Sequence, residues 1–223
     1  MKFHFLTLFP EMISSYLGES MLAKAQAKGL VDFDVKNIRD YSTDKHHKAD
    51  DRPYGGGPGM VMMPEPILSA HAALTMKAAV SAKASTRQGK IKVVMLSPTG
   101  KRFTNVMAAK LAKQYTDIVF ICGRYEGVDD RVRKVLKADE ISIGDFVLTG
   151  GELPALVMTD AICRQIKGVL GDSASIEEHR NASPRTYTRP DVLSWKGKKY
   201  RVPKVLMNGN HKDIEAWRKN QQK

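Results

Sequence analysis

GRYEGVD at residues 123–129 and SIGDFVLTGGELPA at residues 142–155 are the two stretches that decide the fold of this chain. Each joins an apolar run, residues 118–122 before the first and 141–148 within the second, to a loop that contains glycine. Glycine at the end of a strand marks a positive φ angle or a close approach of the backbone to something bound. One such loop is typical of an ordinary strand–helix turn. Two of them, each enclosing an acidic residue, indicate a small-molecule site built largely from backbone at the carboxyl edge of an open α/β sheet.

Strand-like and helix-like segments alternate over the first two thirds of the chain, which predicts an α/β domain with a mainly parallel sheet. The strand-like segments are residues 3–9, 31–38, 92–96, 118–122 and 141–148. Apolar residues at helical spacing predict helices from Met12 to a stop at Gly29, over 66–80, over 103–115 with Thr104 as cap, and from Pro154 to about Lys167.

The character of the sequence changes near Gly171, which predicts two domains. Residues 1–170 form the α/β domain, and residues 171–185 are polar and typical of a flexible linker. Residues 186–223 predict a small, mainly helical C-terminal domain with Ile214 and Trp217 on one helix face. This segment is too short to bury much apolar surface alone.

The net charge of +12 indicates a polyanionic partner, most often nucleic acid, although ribosomal and membrane-surface proteins share this balance. The basic excess is concentrated in the last quarter of the chain, at Arg180, Arg185, Arg189, Lys196, Lys198, Lys199, Arg201 and Lys204. Tyr187, Trp195 and Tyr200 lie among these residues and would stack on unpaired bases. A solvated basic face with its aromatic side chains packed inward explains the pattern equally well.

Several classes of protein are disfavoured. The two cysteines and the absence of a secretory signal or of an apolar run long enough to span a bilayer predict a protein of the reducing cytoplasm with no membrane partner. The loop DDRPYGGGPGM at residues 50–60 lacks the lysine and hydroxyl residue of a phosphate-binding P-loop. No cysteine–histidine spacing indicates a metal site, and the adjacent His46 and His47 are typical of a solvated stretch.

A set of motifs in this chain resembles, in order and over nearly its whole length, the bacterial tRNA (guanine-N1)-methyltransferase family. The motifs are DDRPYGGGPGM (50–60), LSPTG (96–100), GRYEGVD (123–129), SIGDFVLTGGELPA (142–155), KGVLG (167–171), YTRP (187–190) and NGNH (208–211). The resemblance implies a member of the SPOUT superfamily that methylates N1 of guanine 37, 3′ to the anticodon, with a preference for G36–G37. It also implies a deep trefoil knot, S-adenosylmethionine as cofactor, a magnesium ion that assists, and a homodimer with active sites at the subunit interface.

The same resemblance implies a cofactor site made of three loops and the start of a helix. Its residues are Leu96, Ser97, Pro98, Gly123, Tyr125, Glu126, Ile143, Gly144, Asp145, Phe146, Val147, Leu148, Gly150, Gly151 and Pro154. Recognition of adenine and ribose by backbone amides and carbonyls requires glycine for close approach, which agrees with the interpretation of the two loops. By the same resemblance, Asp50, Arg52 and Gly59 position the guanine, and Arg189 contacts the tRNA.

The catalytic residues implied by the resemblance are Arg164 and a base in the linker. Guanine N1 carries a proton, so methyl transfer needs a base, and a cation near O6 stabilises the charge that develops. Arg164 matches the family's assisting arginine, although a cation at a helix C-terminus is also favoured by the macrodipole. The family's base is an aspartate. Counting from KGVLG without a gap puts His179 there, and a shift of one residue puts Glu178 there, with Glu177 before it.

The identity of the base therefore stays open, with Glu178 preferred over His179 and then Glu177. A linker that departs from the family pattern also leaves room for a non-catalytic or weakly active RNA-binding homologue. A methyltransferase with another RNA target is a third hypothesis. The motifs at 50–60 and 187–190 favour the tRNA enzyme, because they are not shared across the superfamily.

Overall fold

The computed structural model of the protein describes residues 1–82, 89–170 and 185–220, with the backbone alone for residues 76–82. The chain divides into two compact units, Met1–Gly171 and Asp172–Lys223. The first unit contains the main sheet and its helices, and the second contains a β hairpin and a helix. In the described residues, no helix has both the length and the apolar composition needed to cross a lipid bilayer.

Five parallel strands form the main sheet, which confirms the predicted α/β class. They are β1 (Lys2–Thr7), β2 (Asp32–Asn37), β5 (Ile91–Arg102), β6 (Asp117–Ile121) and β7 (Asp139–Ser142). Their order in space is β2-β1-β6-β5-β7. Two short strands, β3 (Asp50–Asp51) and β4 (Val61–Met62), pair antiparallel in a separate hairpin.

Helices bury both faces of this sheet. They are α1 (Pro10–Leu17), α2 (Ser20–Ala27), α3 (Pro64–Ala82), α4 (Asn105–Gln114), α5 (Asp130–Leu136) and α6 (Glu152–Cys163). Phe3, Phe5 and Phe120 belong to a core shared with α1, α2, α4 and α6, whereas Leu6 and Ile121 belong to a core shared with α3 and α5. Because successive side chains of a strand point to opposite faces, strands buried on both faces appear as continuous apolar runs.

The strand β5 contains a loop that projects from the sheet. Leu96 and Lys101 both pair with Ile141 of β7, so the four residues between them leave the ladder. Gly100 closes this loop: a Cβ atom there would collide with the backbone of Glu140 and Ile141. The LSPTG motif thus carries its loop to the carboxyl ends of the neighbouring strands.

The structure corrects the predicted strand over residues 141–148, which ends at Ser142. The Ser142 hydroxyl donates to the carbonyl of Gly144 (2.9 Å) and accepts from its amide (3.2 Å), and this local turn ends the pairing. Residues 143–151 are therefore a loop available to line a site.

Helix boundaries also differ from the prediction. The helix expected from Met12 to Gly29 is broken into α1 and α2, where Ser20 adopts a φ of +52° that a continuous helix does not allow. The helix that begins beside Pro154 ends at Cys163 rather than near Lys167. Thr104 caps α4 as predicted, with its hydroxyl accepting from the Met107 amide at 3.2 Å. The helix α5 was missed in the sequence.

The second unit contains an antiparallel hairpin of β8 (Val192–Trp195) and β9 (Lys198–Arg201), a 3₁₀ turn (Lys204–Leu206) and the helix α7 (His211–Asn220). The hairpin was not predicted; its two-residue turn places Lys196 and Gly197 at positive φ. Ile214 and Trp217 are the half-buried residues of α7, and the Trp217 ring lies 6.2 Å from that of Tyr187. All of the linker at 171–185 except Arg185 lies outside the described residues.

A buried ionic cluster joins three strands of the main sheet through His4. This side chain on β1 is 6% exposed, and its Nδ1 and Nε2 lie 3.3 Å from Asp34 on β2 and 3.2 Å from Asp117 on β6. Both ring nitrogens can donate only when the imidazole is protonated. The hydrogen bond from His4 lowers the pKa of Asp117, more than burial raises it, and Thr116 adds a second hydrogen bond.

We expect Asp117→Asn to destabilise the protein in a pH-dependent way. Because the pKa of Asp117 is lowered on folding, its stabilising contribution is full above the unfolded pKa of about 3.9 and is lost as the pH falls through the folded value. The free energy of unfolding should differ most between variant and wild type near neutral pH, and the difference should shrink below about pH 4. Urea denaturation over this range measures it.

Asp32→Asn is the matched control, because the pair between Asp32 and Lys2 is largely exposed and contributes little. A loss of stability in Asp117→Asn that stays constant from neutral to acidic pH would contradict the ionic role of this cluster.

Candidate active site

A cavity of about 480 Å³ lies at the carboxyl ends of β5, β6 and β7. It is lined by the loop that leaves β5, by the loop after β6 and by the loop after β7, together with the first turn of α6. The carboxyl edge of a parallel sheet is the usual place for a ligand, and this volume suits a small molecule. The position of the cavity agrees with the site expected from the two glycine loops.

The two glycine loops are in direct backbone contact beside this cavity. The Gly151 amide donates to the Gly123 carbonyl at 2.8 Å, and a Cβ atom on Gly151 would meet the Cys122 Cα atom at 2.8 Å. Gly150 similarly leaves space for the Arg124 side chain, with which a Cβ atom would collide. Glycine is required at both positions because the backbone and Arg124 occupy the space of a side chain.

The structure brings nearly all of the predicted cofactor residues into this one cavity. Residues 96–98, Gly123, Tyr125, Glu126, residues 143, 144, 146–148, 150 and 151, and Pro154 line it. Asp145 does not line it. Its side chain is 87% exposed, and its carboxylate pairs with Arg102 at 2.9 Å.

Three residues that line the cavity, Tyr125, Phe146 and Val147, have large exposed side chains, and we call them the rim. Val147 is 80% exposed, Phe146 54% and Tyr125 48%. Tyr125 also adopts a φ of +59°, which is strained for a bulky residue and is the kind of strain found at functional sites. This rim is suited to a contact with a second macromolecular surface.

The hairpin of β3 and β4 holds the predicted guanine-binding residues next to the first glycine loop. The Glu126 amide donates to the Met60 carbonyl at 3.0 Å, and Gly59 lies so close to the Glu126 side chain that a Cβ atom would collide with it. Asp50 lies 3.9 Å from the Arg39 guanidinium, which in turn lies 3.5 Å from the Tyr125 hydroxyl. These contacts place Gly59 and Asp50 beside residues that line the cavity.

Arg52 is exposed in the loop of this hairpin, and its amide donates to the Asp51 carboxylate at 2.8 Å. The charge partner of Asp51 is Lys48, at 3.0 Å. Arg52 thus contacts Asp51 through its backbone amide, and Lys48 supplies the positive charge beside that carboxylate.

Arg164 lies at the opposite end of α6 from the cavity. It is the C-terminal cap of that helix, whereas Gly151 is the N-terminal cap. A helix of 12 residues is about 18 Å long, so Arg164 is far from the cavity of its own chain. Glu177, Glu178 and His179 lie outside the described residues, and Arg189 lies in the second unit.

Comparison with known proteins identifies the family. The family model for tRNA (Guanine-1)-methyltransferase TrmD matches residues 1–223, the whole chain. The chain belongs to this family.

Curated relatives and a solved structure agree with that assignment. The tRNA (guanine-N(1)-)-methyltransferase of Bacillus subtilis is 49% identical over 223 residues, which cover 98% of this chain and 86% of the relative. That of Carboxydothermus hydrogenoformans is 46% identical over 225 residues, covering 99% and 82%. The crystal structure of tRNA (m1G37) methyltransferase from Aquifex aeolicus matches with a TM-score of 0.78 at 36% identity, covering 100% of this chain and 89% of that one.

Two charged residues of this tRNA (guanine-1)-methyltransferase family member were missed in the sequence. Arg124 lines the cavity. Glu152 is fully buried beside Arg124, with its Oε2 atom 2.9 Å from the Arg124 Nε atom. Both belong to the two glycine motifs, so a charged residue directly after a motif glycine was the available signal. Burial above all, and then the charge of Glu152, raise the pKa of the neighbouring Cys122 thiol well above the usual range, which disfavours the reactive thiolate.

We expect Gly151→Ala to weaken ligand binding at this cavity. The new methyl group has no space against the backbone of Cys122 and Gly123, so the two loops must separate at a cost of about 1–3 kcal/mol. Calorimetric titration with S-adenosylmethionine and thermal unfolding measure the two effects.

Gly18→Ala is the control, because Gly18 caps α1 at an ordinary φ of −75° and does not line the cavity. Equal ligand affinity in Gly151→Ala and Gly18→Ala would show that contact between the loops does not shape the site.

Proposed function

We propose that the protein is an S-adenosylmethionine-dependent tRNA methyltransferase that modifies N1 of guanine 37, with a preference for G36–G37. The observation that carries this proposal is the cavity lined by both glycine loops, within a chain that matches the family over its full length. The names of the curated relatives and of the structural neighbour support tRNA and the N1 position of guanine.

The residues of the cavity suit the proposed cofactor. Gly123, Gly150 and Gly151 line the cavity and carry no side chain of their own, so the backbone around them can approach an adenosine. Ile143, Phe146 and Leu148 supply apolar surface for the adenine ring, and Glu126 supplies a carboxylate near a sulfonium charge. S-adenosylmethionine would supply an electrophilic methyl group there.

A trefoil knot around the cavity is part of the proposal. The segment after β7 is enclosed by earlier parts of the chain: Gly100 packs on Ile141, the Phe103 amide donates to the Ser142 carbonyl at 2.8 Å, and Gly151 packs on Gly123. Such enclosure between the loops after β5 and β6 supports a threaded segment, as the resemblance to SPOUT proteins implies.

The chemistry at guanine requires a base and a cation. A residue in the linker, Glu178 by preference and otherwise His179 or Glu177, removes the N1 proton, while the Arg164 guanidinium stabilises the charge that develops on O6. Asp50, Arg52 and Gly59 position the guanine. These roles follow from the family resemblance and from the place of the β3–β4 hairpin beside the cavity.

A homodimer resolves the distance between Arg164 and the cavity. Because about 18 Å of helix separates them in one chain, Arg164 reaches a cavity only if a second copy brings it there. The outer faces of α1 and α6 expose Met12, Tyr16, Leu153 and Val157. The Tyr16 hydroxyl donates to Asp160 at 2.6 Å, so these helices adjoin and present one apolar surface for the second copy.

The second unit is the proposed grip on tRNA. Trp195 and Tyr200 on the β8–β9 hairpin are 61% and 53% exposed, beside Lys196, Lys198, Lys199 and Arg201. Exposed aromatic side chains stack on bases, and the cations, with Arg189, contact phosphates. The Tyr187 ring already packs against the Trp217 ring and is therefore less available for stacking on a base.

Magnesium belongs to the proposal through the family resemblance alone. Among the described residues, no three histidine, cysteine, aspartate or glutamate side chains gather at one point. The proposed cellular setting is the cytoplasm, where tRNA is modified and buried thiols such as Cys122 and Cys163 stay reduced.

The proposed function is tested by incubating the protein with labelled S-adenosylmethionine and tRNA transcripts that carry G36–G37. We expect N1-methylguanine at position 37 and none in a transcript with adenine at that position. Cofactor binding in the calorimeter without any methylation would instead favour the non-catalytic RNA-binding homologue, and methylation of rRNA alone would favour another target.

In the same assay, Glu178→Ala and His179→Ala identify the base. We expect Glu178→Ala to lower the single-turnover rate by about 10²–10⁴-fold, the usual contribution of a general base, with a much smaller effect of His179→Ala. The reverse order would assign the role to His179.

Mixing two impaired variants tests the shared site, with S-adenosylmethionine held at a concentration too low to fill the weakened cavity of Gly151→Ala. Under that condition Arg164→Ala and Gly151→Ala each disable one part, but a mixed dimer contains one site in which the cavity and Arg164 are both intact. Refolding an equal mixture should therefore recover about a quarter of the wild-type sites. If cavity and Arg164 act within one chain, the mixture stays inactive.

A further inference from the structure

Glu152 is a buried charge at the edge of the cavity whose role the proposed reaction leaves open. It is the first residue of α6 and is 0% exposed. Burial of a carboxylate costs several kcal/mol unless hydrogen bonds and an opposite charge satisfy it. A carboxylate at this buried position next to Gly151 therefore requires hydrogen-bond donors and a positive charge beside it.

The first partner of Glu152 is Thr7, the last residue of β1. The Thr7 hydroxyl is buried, donates to Glu152 Oε1 at 2.7 Å and accepts from the Phe9 amide at 2.9 Å. This contact attaches the start of α6 to the end of β1. It holds the carboxylate in one orientation.

The second partner is Arg124 of the first glycine loop. Its Nε atom lies 2.9 Å from Glu152 Oε2, and the two side chains are 14% and 1% exposed. The contact is an ion pair without the alignment of a hydrogen bond. Glu152 thus supplies the negative charge that a nearly buried guanidinium needs.

The Arg124 guanidinium also contacts neutral groups of two other segments, the start of α1 and the second glycine loop. The guanidinium donates to the Thr149 carbonyl at 3.1 Å, contacts the Met12 sulfur at 2.9 Å and lies 4.6 Å from the centre of the Phe9 ring. Thr149 belongs to the second glycine loop, and Gly150 after it leaves the space that the guanidinium fills. Arg124 therefore connects the first glycine loop to the second.

We propose that Glu152 is a positioning residue of the cofactor site, which acts through Arg124 to hold the two glycine loops at the spacing the cofactor requires. This inference rests on the proposed function for the identity of the cofactor and goes beyond it in assigning the support of the site. Without the carboxylate, the guanidinium turns towards solvent and releases the Thr149 carbonyl. The loop of residues 143–151 then loses a contact that shapes the cavity.

Calorimetry on Glu152→Gln, which keeps the shape of the side chain and removes its charge, tests the proposal. We expect affinity for S-adenosylmethionine to fall on the order of tenfold, as for the loss of other supporting contacts, with tRNA affinity within about twofold of wild type. In an Arg124→Met background the same substitution should add almost nothing. Glu11→Gln, an exposed change of the same kind on α1, should bind normally.

Arg124→Met combined with Glu152→Leu separates positioning from stability. Replacing a buried ion pair by apolar residues of similar size is often neutral for folding, so this double variant should unfold near the wild-type temperature. If Glu152 is a positioning residue, the double variant should still bind the cofactor more weakly than wild type does. Normal affinity in the folded double variant, or fully additive losses from Glu152→Gln and Arg124→Met, would overturn the proposal.

Amide hydrogen exchange gives a readout without cofactor, so the result does not depend on the proposed function. We expect the Gly151 amide, bonded to the Gly123 carbonyl, to exchange on the order of tenfold faster in the double variant, while amides of β1 stay protected. Unchanged exchange would refute the positioning role. Failure of the wild-type protein to bind S-adenosylmethionine would refute the proposed function and leave this exchange comparison to decide the inference.

Discussion

The contact of Gly151 with the backbone of Cys122 and Gly123 is the constraint on which the site depends. A hydrogen bond of 2.8 Å joins the two loops where no side chain fits, so residues 143–151 must return across the end of β6 after leaving β7. The cavity is the space enclosed by this return, with the projecting loop of β5 as its third wall. Because glycine has no side chain, three backbone segments can meet here.

The same contact fixes the start of α6 and therefore the division of the proposed active site. Because α6 begins at the cavity and extends about 18 Å from it, groups at its far end are remote from the cavity of the same chain. Arg164 is one of them, and the linker with Glu178 follows it in the sequence. In the proposed homodimer one copy holds the methyl donor and the other brings the cation and the base. The exposed side chains of Leu153 and Val157 on α6 agree with such pairing.

The parallel sheet and most residues of the cavity were predictable, because their signals are local. Apolar runs such as residues 118–122 and glycine at the strand ends depend on neighbours in the sequence, and the motifs resemble those of the family over nearly its whole length. The predicted strand over residues 141–148 was wrong in its extent, because the turn formed by the Ser142 hydroxyl with Gly144 ends β7 inside an apolar run. Asp145, chosen for its place in a motif, pairs instead with Arg102, which is 43 residues away in sequence.

By itself, the sequence determined the fold class, the family and the segments that form the cavity, because strand periodicity, glycine positions and motifs are properties of consecutive residues. Only the tertiary structure decided how those segments meet. It placed Thr7, Arg124 and Glu152 in one buried network although 145 residues separate the first from the last. It also placed Arg164 away from the cavity whose chemistry it is expected to serve. The physical reason is that a buried charge and a helix direction are satisfied in space, by partners that the sequence does not put side by side.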